Sequence, residues 1–180
     1  MNLPTNVSLC RSQHSRLLAV LLMLLAAGPA LAGECRASVR PLLLATQVDP
    51  GRLAQVRELC SAEADAGDPQ ATYQLALLAL GVGGNFEPDM ALPLIRDAAG
   101  RGVSEAQYWL AWQYEAGPLL QHDSALALDW YQRAAALNHR LALARLADAY
   151  EHGELGVPVS ARRAEEFRAR QARCMKKTGA

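Results

Sequence analysis

Apolar residues recur at spacings of three and four through most of the chain beyond residue 50. The period is clearest in residues 106–138, which read AQYWLAWQYEAGPLLQHDSALALDWYQRAAALN. This spacing places apolar side chains on one face of an α-helix, whereas a half-buried strand would show strict alternation of apolar and polar residues. The pattern therefore predicts an all-α fold.

One template of apolar and small residues occurs three times, in residues 71–102, 106–138 and 142–174. Each copy opens with an alanine, at Ala71, Ala106 and Ala142. Each later places a bulky residue, at Leu94, Trp130 and Phe167. A repeat of 35 to 36 residues that contains two amphipathic stretches predicts a pair of antiparallel helices.

The three copies and one further helix are expected to stack. Residues 50–66 predict that helix, so the repeats extend over residues 50–176 as about three and a half units. Stacked helix pairs bury a continuous core that a single pair cannot form, which predicts an α/α solenoid. Within it, Trp130 and Ala134 are expected to face the core and Asp129 the solvent.

Residues that favour helix starts fall at the expected boundaries. Four N-caps are predicted, at Asp49, Asp68, Asp123 and Ser160. A side-chain oxygen at this position accepts hydrogen bonds from the free N–H groups of the first helical turn. Ser104 and Gln107 are predicted to form a capping box, in which each side chain bonds to the backbone N–H of the other residue.

The chain opens with the three parts of a secretory signal peptide. Arg11 and Arg16 precede an apolar stretch, residues 17–27, and a small-x-small sequence ends at Ala32. A membrane anchor would need about 18 or more apolar residues, and this stretch is shorter. A lipoprotein signal would place the cysteine directly after the small residue at the cleavage site, whereas here Glu34 lies in between. We expect residues 1–32 to be removed after Ala32, leaving a periplasmic or secreted protein without a membrane span.

Three cysteines remain after that cleavage: Cys35, Cys60 and Cys174. In an exported protein an odd number suggests one disulfide and one further thiol. We favour a Cys35–Cys60 disulfide because residues 33–49 form an N-terminal segment with little core of its own, and closing that loop contributes ~3 kcal/mol. The sequence does not fix the pairing.

Charge and motif content argue against several classes of function. Residues 33–160 carry 9 basic against 16 acidic side chains, and residues 161–177 carry 7 against 2. Nucleic acid needs a broad basic face, so it is not expected as a ligand, and the basic tail is typical of a solvated helix. No catalytic residue, metal or cofactor is expected, because nucleophile, phosphate-binding and zinc motifs are absent and the histidines are scattered.

The template resembles the Sel-one-like repeat family, an α/α relative of the tetratricopeptide repeat. Residues 106–138 match best, and the matching positions include Asp123, Trp130, Tyr131 and Arg133. The resemblance implies a right-handed superhelix that holds partner proteins on a concave surface lined by the first helix of each pair. Exported relatives are envelope adaptors, or immunity proteins that neutralise antibacterial lipase effectors in the periplasm.

The resemblance also implies which side chains face the concave surface. They are Tyr73, Leu77, Tyr108, Trp112, Glu115, Asp148, Glu151 and His152. Aromatic residues beside carboxylates are suited to a basic, partly apolar segment of a partner protein. The alternative is that Tyr73 and Tyr108 pack against the next repeat and belong to the core.

Taken together, these patterns favour a non-enzymatic, exported protein that mediates protein–protein interaction in the bacterial envelope. An immunity protein against a secreted lipase effector is one form of this function. An assembly scaffold or adaptor without a tight ligand is the alternative, and a secreted hydrolase is the least favoured because the chain lacks every component of a catalytic site that we sought.

Overall fold

The computed structural model describes residues 33–81 and 86–178, and side chains as far as residue 175. The predicted signal peptide lies outside the described residues. Within them the chain forms eight helices and no strand. The helices are α1 Glu34–Leu44, α2 Pro50–Asp65, α3 Pro69–Ala79, α4 Pro88–Gly100, α5 Ser104–Ala116, α6 Ser124–Ala136, α7 Arg140–His152 and α8 Ala161–Thr178. Among these residues, no helix combines the length and apolar character that a membrane crossing requires.

Consecutive helices pack as four pairs, and each pair packs against the next. Three clusters of buried apolar side chains follow one another along the chain, the first around Val56, the second around Ile95 and the third around Leu146. Trp130 contacts both the second and the third cluster. Because contacts are made chiefly between neighbouring elements, this is the packing of an α-solenoid, and the all-α prediction is confirmed.

Most of the predicted helix starts are present. The Asp49 and Asp68 carboxylates accept the N–H groups of Arg52 and Gln70 at 2.7 and 2.8 Å. Asp123 accepts two N–H groups at the start of α6, and Ser160 Oγ accepts one at the start of α8. These caps satisfy donors that have no partner inside the helix.

The predicted capping box at the start of α5 is wrong. Val103 is the N-cap residue, and Ser104 is already the first residue of the helix. The Ser104 hydroxyl donates to Glu105 at 3.0 Å, and the buried Gln107 amide donates to the Ala99 carbonyl at 2.9 Å. Gln107 therefore joins α5 to α4, which satisfies a carbonyl in the last turn of α4.

A helix that the sequence did not predict, α1, lies in the N-terminal segment. Cys35, Val39 and Leu42 are buried on its inner face, at spacings of four and three. Pro41 lies inside the helix, where it lacks an N–H donor and normally disfavours helical structure. The segment therefore has a core of its own, shared with α2 and α3, and completes a fourth helix pair.

The start of α1 is stabilised from the neighbouring helix. Glu63 of α2 is only 4% exposed, and its carboxylate accepts the N–H groups of Gly33 at 3.2 Å and Cys35 at 3.0 Å. A carboxylate at a helix N-terminus satisfies free donors and interacts favourably with the helix dipole. The Cys35–Cys60 disulfide, with Cα atoms 4.8 Å apart, joins the same two helices, and it is the pairing that the sequence favoured.

The two neighbouring aromatic residues of α6, Trp130 and Tyr131, differ in burial. Ala134 is buried as expected, whereas Trp130 is half-buried, with the Arg133 guanidinium 4.8 Å from its ring centre. Tyr131 is 1% exposed and is the largest fully buried side chain of the described residues. Asp129 is half-exposed and forms an ion pair with Arg133 at 2.9 Å, in agreement with its expected position.

Candidate protein-binding surface

The residues predicted to bind a partner lie on α3, α5 and α7, the first helices of their pairs, but Tyr73 is not exposed. Its side chain is buried in the second cluster, with 8% of its surface exposed. Burial, and after it the negative charge of Glu105, raise the pKa of Tyr73 to about 12. The exposed position expected for Tyr73 is therefore not observed, and its burial agrees with the alternative, packing.

Tyr108 is half-buried and fills a gap between α5 and α7. Its ring stacks on His139 with centroids 4.7 Å apart and is tilted against Tyr131 at 5.7 Å. Aromatic pairs at these distances stabilise packing beyond their buried area. The structure thus gives Tyr108 a packing role between helices.

Glu115 lies at the centre of a hydrogen-bonded network. It was expected on the exposed concave surface, but its side chain is mostly covered. Its side chain is 19% exposed, accepts the Tyr131 hydroxyl at 2.7 Å and accepts Arg145 Nε at 2.8 Å. Arg145 also pairs with Glu154 at 2.7 Å. Burial alone would raise the pKa of Glu115, but the hydrogen bonds from Arg145 and Tyr131 outweigh it, so the pKa is lowered.

The remaining predicted residues of α5 and α7 are exposed. Trp112 is 43% exposed, and Asp148 and His152 are also at the surface. Glu151 is exposed but pairs with Arg168 of α8. Since Glu115 and Glu151 are both neutralised by arginines, the expectation of a basic partner loses two of the three carboxylates on which it rested.

Leu77, the other predicted residue of α3, lines a groove that we call the apolar groove after its lining side chains; backbone atoms and the Trp109 indole contribute polar surface to it as well. The groove has a volume of about 350 Å³. Its lining residues are Leu42, Leu43, Ala45, Val48, Leu77, Leu80, Gly81 and Trp109. They come from α1, α3 and α5, which are the first helices of three successive pairs, and from the segments that follow α1 and α3.

Further exposed apolar side chains lie on the helices that form the groove. Leu43 and Leu44 at the end of α1 are 46% and 77% exposed. Trp112 lies three residues beyond the lining residue Trp109. Because a helix turns once in 3.6 residues, the two side chains lie on the same side of α5. None of the eight lining residues carries a charge. The side chains of this surface are suited to packing against apolar groups.

Sequence analysis found Leu77 and Trp112 but missed the α1 side of the groove. The signal was present in the run Leu42–Leu44, which is more apolar than a solvated segment requires. Among the described residues, no group of three or more metal-ligating side chains comes together.

The fold and this surface define an α/α helical-repeat protein with an apolar groove on its first helices. The sequence model of the Sel1 repeat matches residues 104–139 and 140–167. A solved Sel1 repeat protein from Oxalobacter formigenes shares 34% identity, with 63% of this chain and 85% of that protein covered and a TM-score of 0.59. The chain belongs to the Sel1 repeat family.

A second solved structure supports the fold alone. It is a protective antigen present in uropathogenic Escherichia coli strains that displays an SLR fold, with a TM-score of 0.65 at 24% identity. The match covers 87% of this chain but 33% of that antigen.

The family also indicates a general function. Sel1 repeat proteins mediate protein–protein interaction.

Proposed function

We propose that this chain is an exported protein that binds another protein in the bacterial cell envelope through the groove and the adjoining exposed side chains of α1 and α5. The observation that carries the proposal is a groove lined by apolar side chains, with Leu43 on its wall and Leu44 and Trp112 on the same helices, each more than 40% exposed. Contiguous apolar surface on a folded protein marks interaction sites, because leaving it in water is unfavourable.

The envelope location is supported by two independent features. The Cys35–Cys60 disulfide is of the kind that persists in oxidising compartments and is rare in the cytosol. Residues 1–32 have the composition of a cleaved secretory signal. Fractionation of cells, with mass measurement of the intact protein, tests this part. We expect an N-terminus at Gly33 in the periplasmic or secreted fraction, and an unprocessed cytosolic protein would contradict it.

The binding surface is tested by two matched substitutions, Leu43→Glu and Leu141→Glu. Both leucines lie on first helices and have nearly equal exposure, 46% and 48%, but only Leu43 lines the groove. We expect both variants to melt close to the wild type. Leu43→Glu should lose the partner captured from envelope extracts, because a carboxylate would have to be buried in an apolar interface. Leu141→Glu should retain it, and equal capture by both variants would contradict the proposal.

Two kinds of partner are proposed for this surface: a secreted antibacterial lipase, which this protein would neutralise, or a component of an envelope assembly. Co-production distinguishes them. An immunity protein restores growth to cells that produce the lipase in their periplasm, and the Leu43→Glu variant should not. A scaffold or adaptor without a tight ligand gives no such protection, and we expect envelope proteins to co-purify with it only after chemical crosslinking.

A further inference from the structure

We infer that the groove receives an amphipathic helix of the partner, which inserts apolar side chains and places a carboxylate beside Arg40 of α1. This inference rests on the proposed function and adds the chemistry of the partner. The sequence predicted a basic partner segment. An acidic one is inferred here because the fold pairs Glu115 and Glu151 with arginines and leaves Arg40 unpaired within the described residues.

The shape and lining of the groove favour apolar anchors. About 350 Å³ is enough for more than one side chain, and all eight lining residues are uncharged. The walls are helices, so a partner helix can lay apolar residues spaced by three and four along them, as in other helix-in-groove complexes. A charged anchor in the groove would lose hydration without meeting an opposite charge, since the polar atoms of the lining belong to the backbone and the Trp109 indole.

The charged side chains of the three walls are few and mostly paired. α3 contains none. Arg36 of α1 pairs with Glu105 of α5 at 3.5 Å, and Glu115 of α5 pairs with Arg145. Glu34 lies nine residues before Leu43, which is about 13 Å along the helix axis. Asp49, which follows the lining residue Val48, is exposed, but its carboxylate is engaged at the start of α2, where it accepts the Arg52 N–H at 2.7 Å. The three wall helices themselves therefore present little unpaired negative charge near the groove.

Arg40 is the exception. Its side chain is exposed and has neither an ion pair nor a hydrogen bond within the described residues. It precedes Leu43 and Leu44 by three and four positions, so it lies on their face of α1, one turn away. An acidic residue flanking the apolar anchors of a partner helix would meet this guanidinium. Charge complementarity of this kind sets the choice and orientation of a partner more than the strength of binding.

A displayed library of random helical peptides, selected on the purified full-length protein, tests the inference. We expect enriched peptides to carry apolar residues at spacings of three and four together with an Asp or Glu. A peptide from this set should bind the Arg40→Glu variant about three- to tenfold more weakly than the wild type, the range of a partly exposed ion pair. It should bind Arg96→Glu within about twofold of the wild type, since Arg96 is exposed on α4, away from the groove lining.

Selection on the Arg40→Glu variant supplies the reciprocal measurement, in which the enriched peptides should exchange their acidic residue for Lys or Arg. Enrichment of basic peptides on the wild type would overturn the inference and leave the proposed binding surface intact. Peptides that bind Leu43→Glu as well as the wild type would overturn both. Failure to enrich any peptide would also overturn both, and binding of a fluorescent fatty acid by the same protein would then assign the groove to a lipid chain.

Discussion

The two halves of the solenoid are stabilised by different interactions. In the pairs α1/α2 and α3/α4, the helices are joined by a disulfide and by apolar contacts around Val56 and Ile95. The pairs α5/α6 and α7/α8 contain five of the eight ion pairs of the described residues. Two of the five join different helices, Glu115–Arg145 and Glu151–Arg168, and aromatic rings also stack between helices. The second half is therefore distinguished by stacked aromatic rings and a larger number of ion pairs. The first half has the disulfide and fewer polar links between helices, among them the Arg57–Glu87 ion pair and the Glu63 carboxylate at the start of α1. We call residues 104–178 the polar-linked half and residues 33–100 the apolar half.

The difference coincides with the position of the candidate site. The family sequence model matches residues 104–139 and 140–167, which lie in the polar-linked half. The groove lies mainly on α1 and α3 of the other half and reaches only Trp109 of α5. The polar-linked half packs against the apolar half that carries the groove. This arrangement suits a binding protein, because a binding surface benefits from a rigid scaffold.

The largest effect on the polar-linked half is expected from Tyr131→Ala. This change removes a fully buried ring and one of the donors to Glu115, so the free energy of unfolding should fall by about 3–5 kcal/mol. Tyr131→Phe removes only the hydroxyl and should cost about 1–2 kcal/mol. Urea unfolding followed by circular dichroism measures both, and an alanine variant that loses less than the phenylalanine variant would contradict this packing.

In the apolar half, the corresponding change is Cys35→Ser combined with Cys60→Ser. Loss of the disulfide should cost ~3 kcal/mol. Hydrogen exchange should accelerate in α1 and α2, whereas the amides of α7 and α8 should keep their protection, because the effect is local. Uniform acceleration through all eight helices would show that the two halves unfold as one unit.

A smaller effect, confined to the α5–α7 contact, is expected from acid. His139 caps α7 by accepting the Ala142 N–H at 3.3 Å, and burial lowers its pKa, with Arg140 contributing in the same direction and Glu105 opposing. A lowered folded-state pKa means that the unfolded chain binds the proton first. Stability is therefore complete above the ordinary histidine pKa of about 6.5 and falls as pH drops below it.

The matched variant for this pH dependence is His139→Asn, which keeps a capping acceptor but does not titrate. Its free energy of unfolding should change less between pH 7.5 and 5.5 than that of the wild type. The lowered pKa of Glu115 adds a loss of stability only at lower pH, below the usual glutamate range, so the two contributions are separable. Identical slopes for the variant and the wild type between those two pH values would exclude His139 as the source.

The smallest effect on stability is expected from Trp112→Ala. Since the side chain is 43% exposed, the free energy of unfolding should change by less than about 0.5 kcal/mol. Partner binding should weaken at least about tenfold if the indole is an interface hot spot. The change Glu115→Lys, on the same helix, should by contrast be strongly destabilising, because it leaves Arg145 facing a like charge.

The helical period predicted the solenoid because it reports local geometry. Start signals at Asp49, Asp68 and Asp123 fixed three helix starts for the same reason. The sequence missed α1, where Pro41 interrupts the usual signal and the stabilising groups, Glu63 and the disulfide, come from another helix. Contacts between elements distant in sequence are invisible to a local pattern.

The same limit applies to the candidate site. The family resemblance assigned Tyr73, Leu77 and Trp112 to one surface, yet only the neighbouring helices decide which of these side chains are covered. Tyr73 is buried by its cluster, and Glu115 is enclosed because Tyr131 and Arg145 approach it from two other helices. The groove needs three helices at once, so no single stretch of sequence could reveal it.

The most direct test of the central claim is photo-crosslinking in living cells with a photoreactive amino acid at position 43 or at position 141. These positions have matched exposure and lie one in each half of the solenoid. If the partner binds the apolar groove, position 43 gives a crosslinked complex that disappears when Arg40→Glu and Trp112→Ala are combined, and position 141 gives none. A complex formed from position 141 but not from position 43 would place the interface on the polar-linked half and contradict the account.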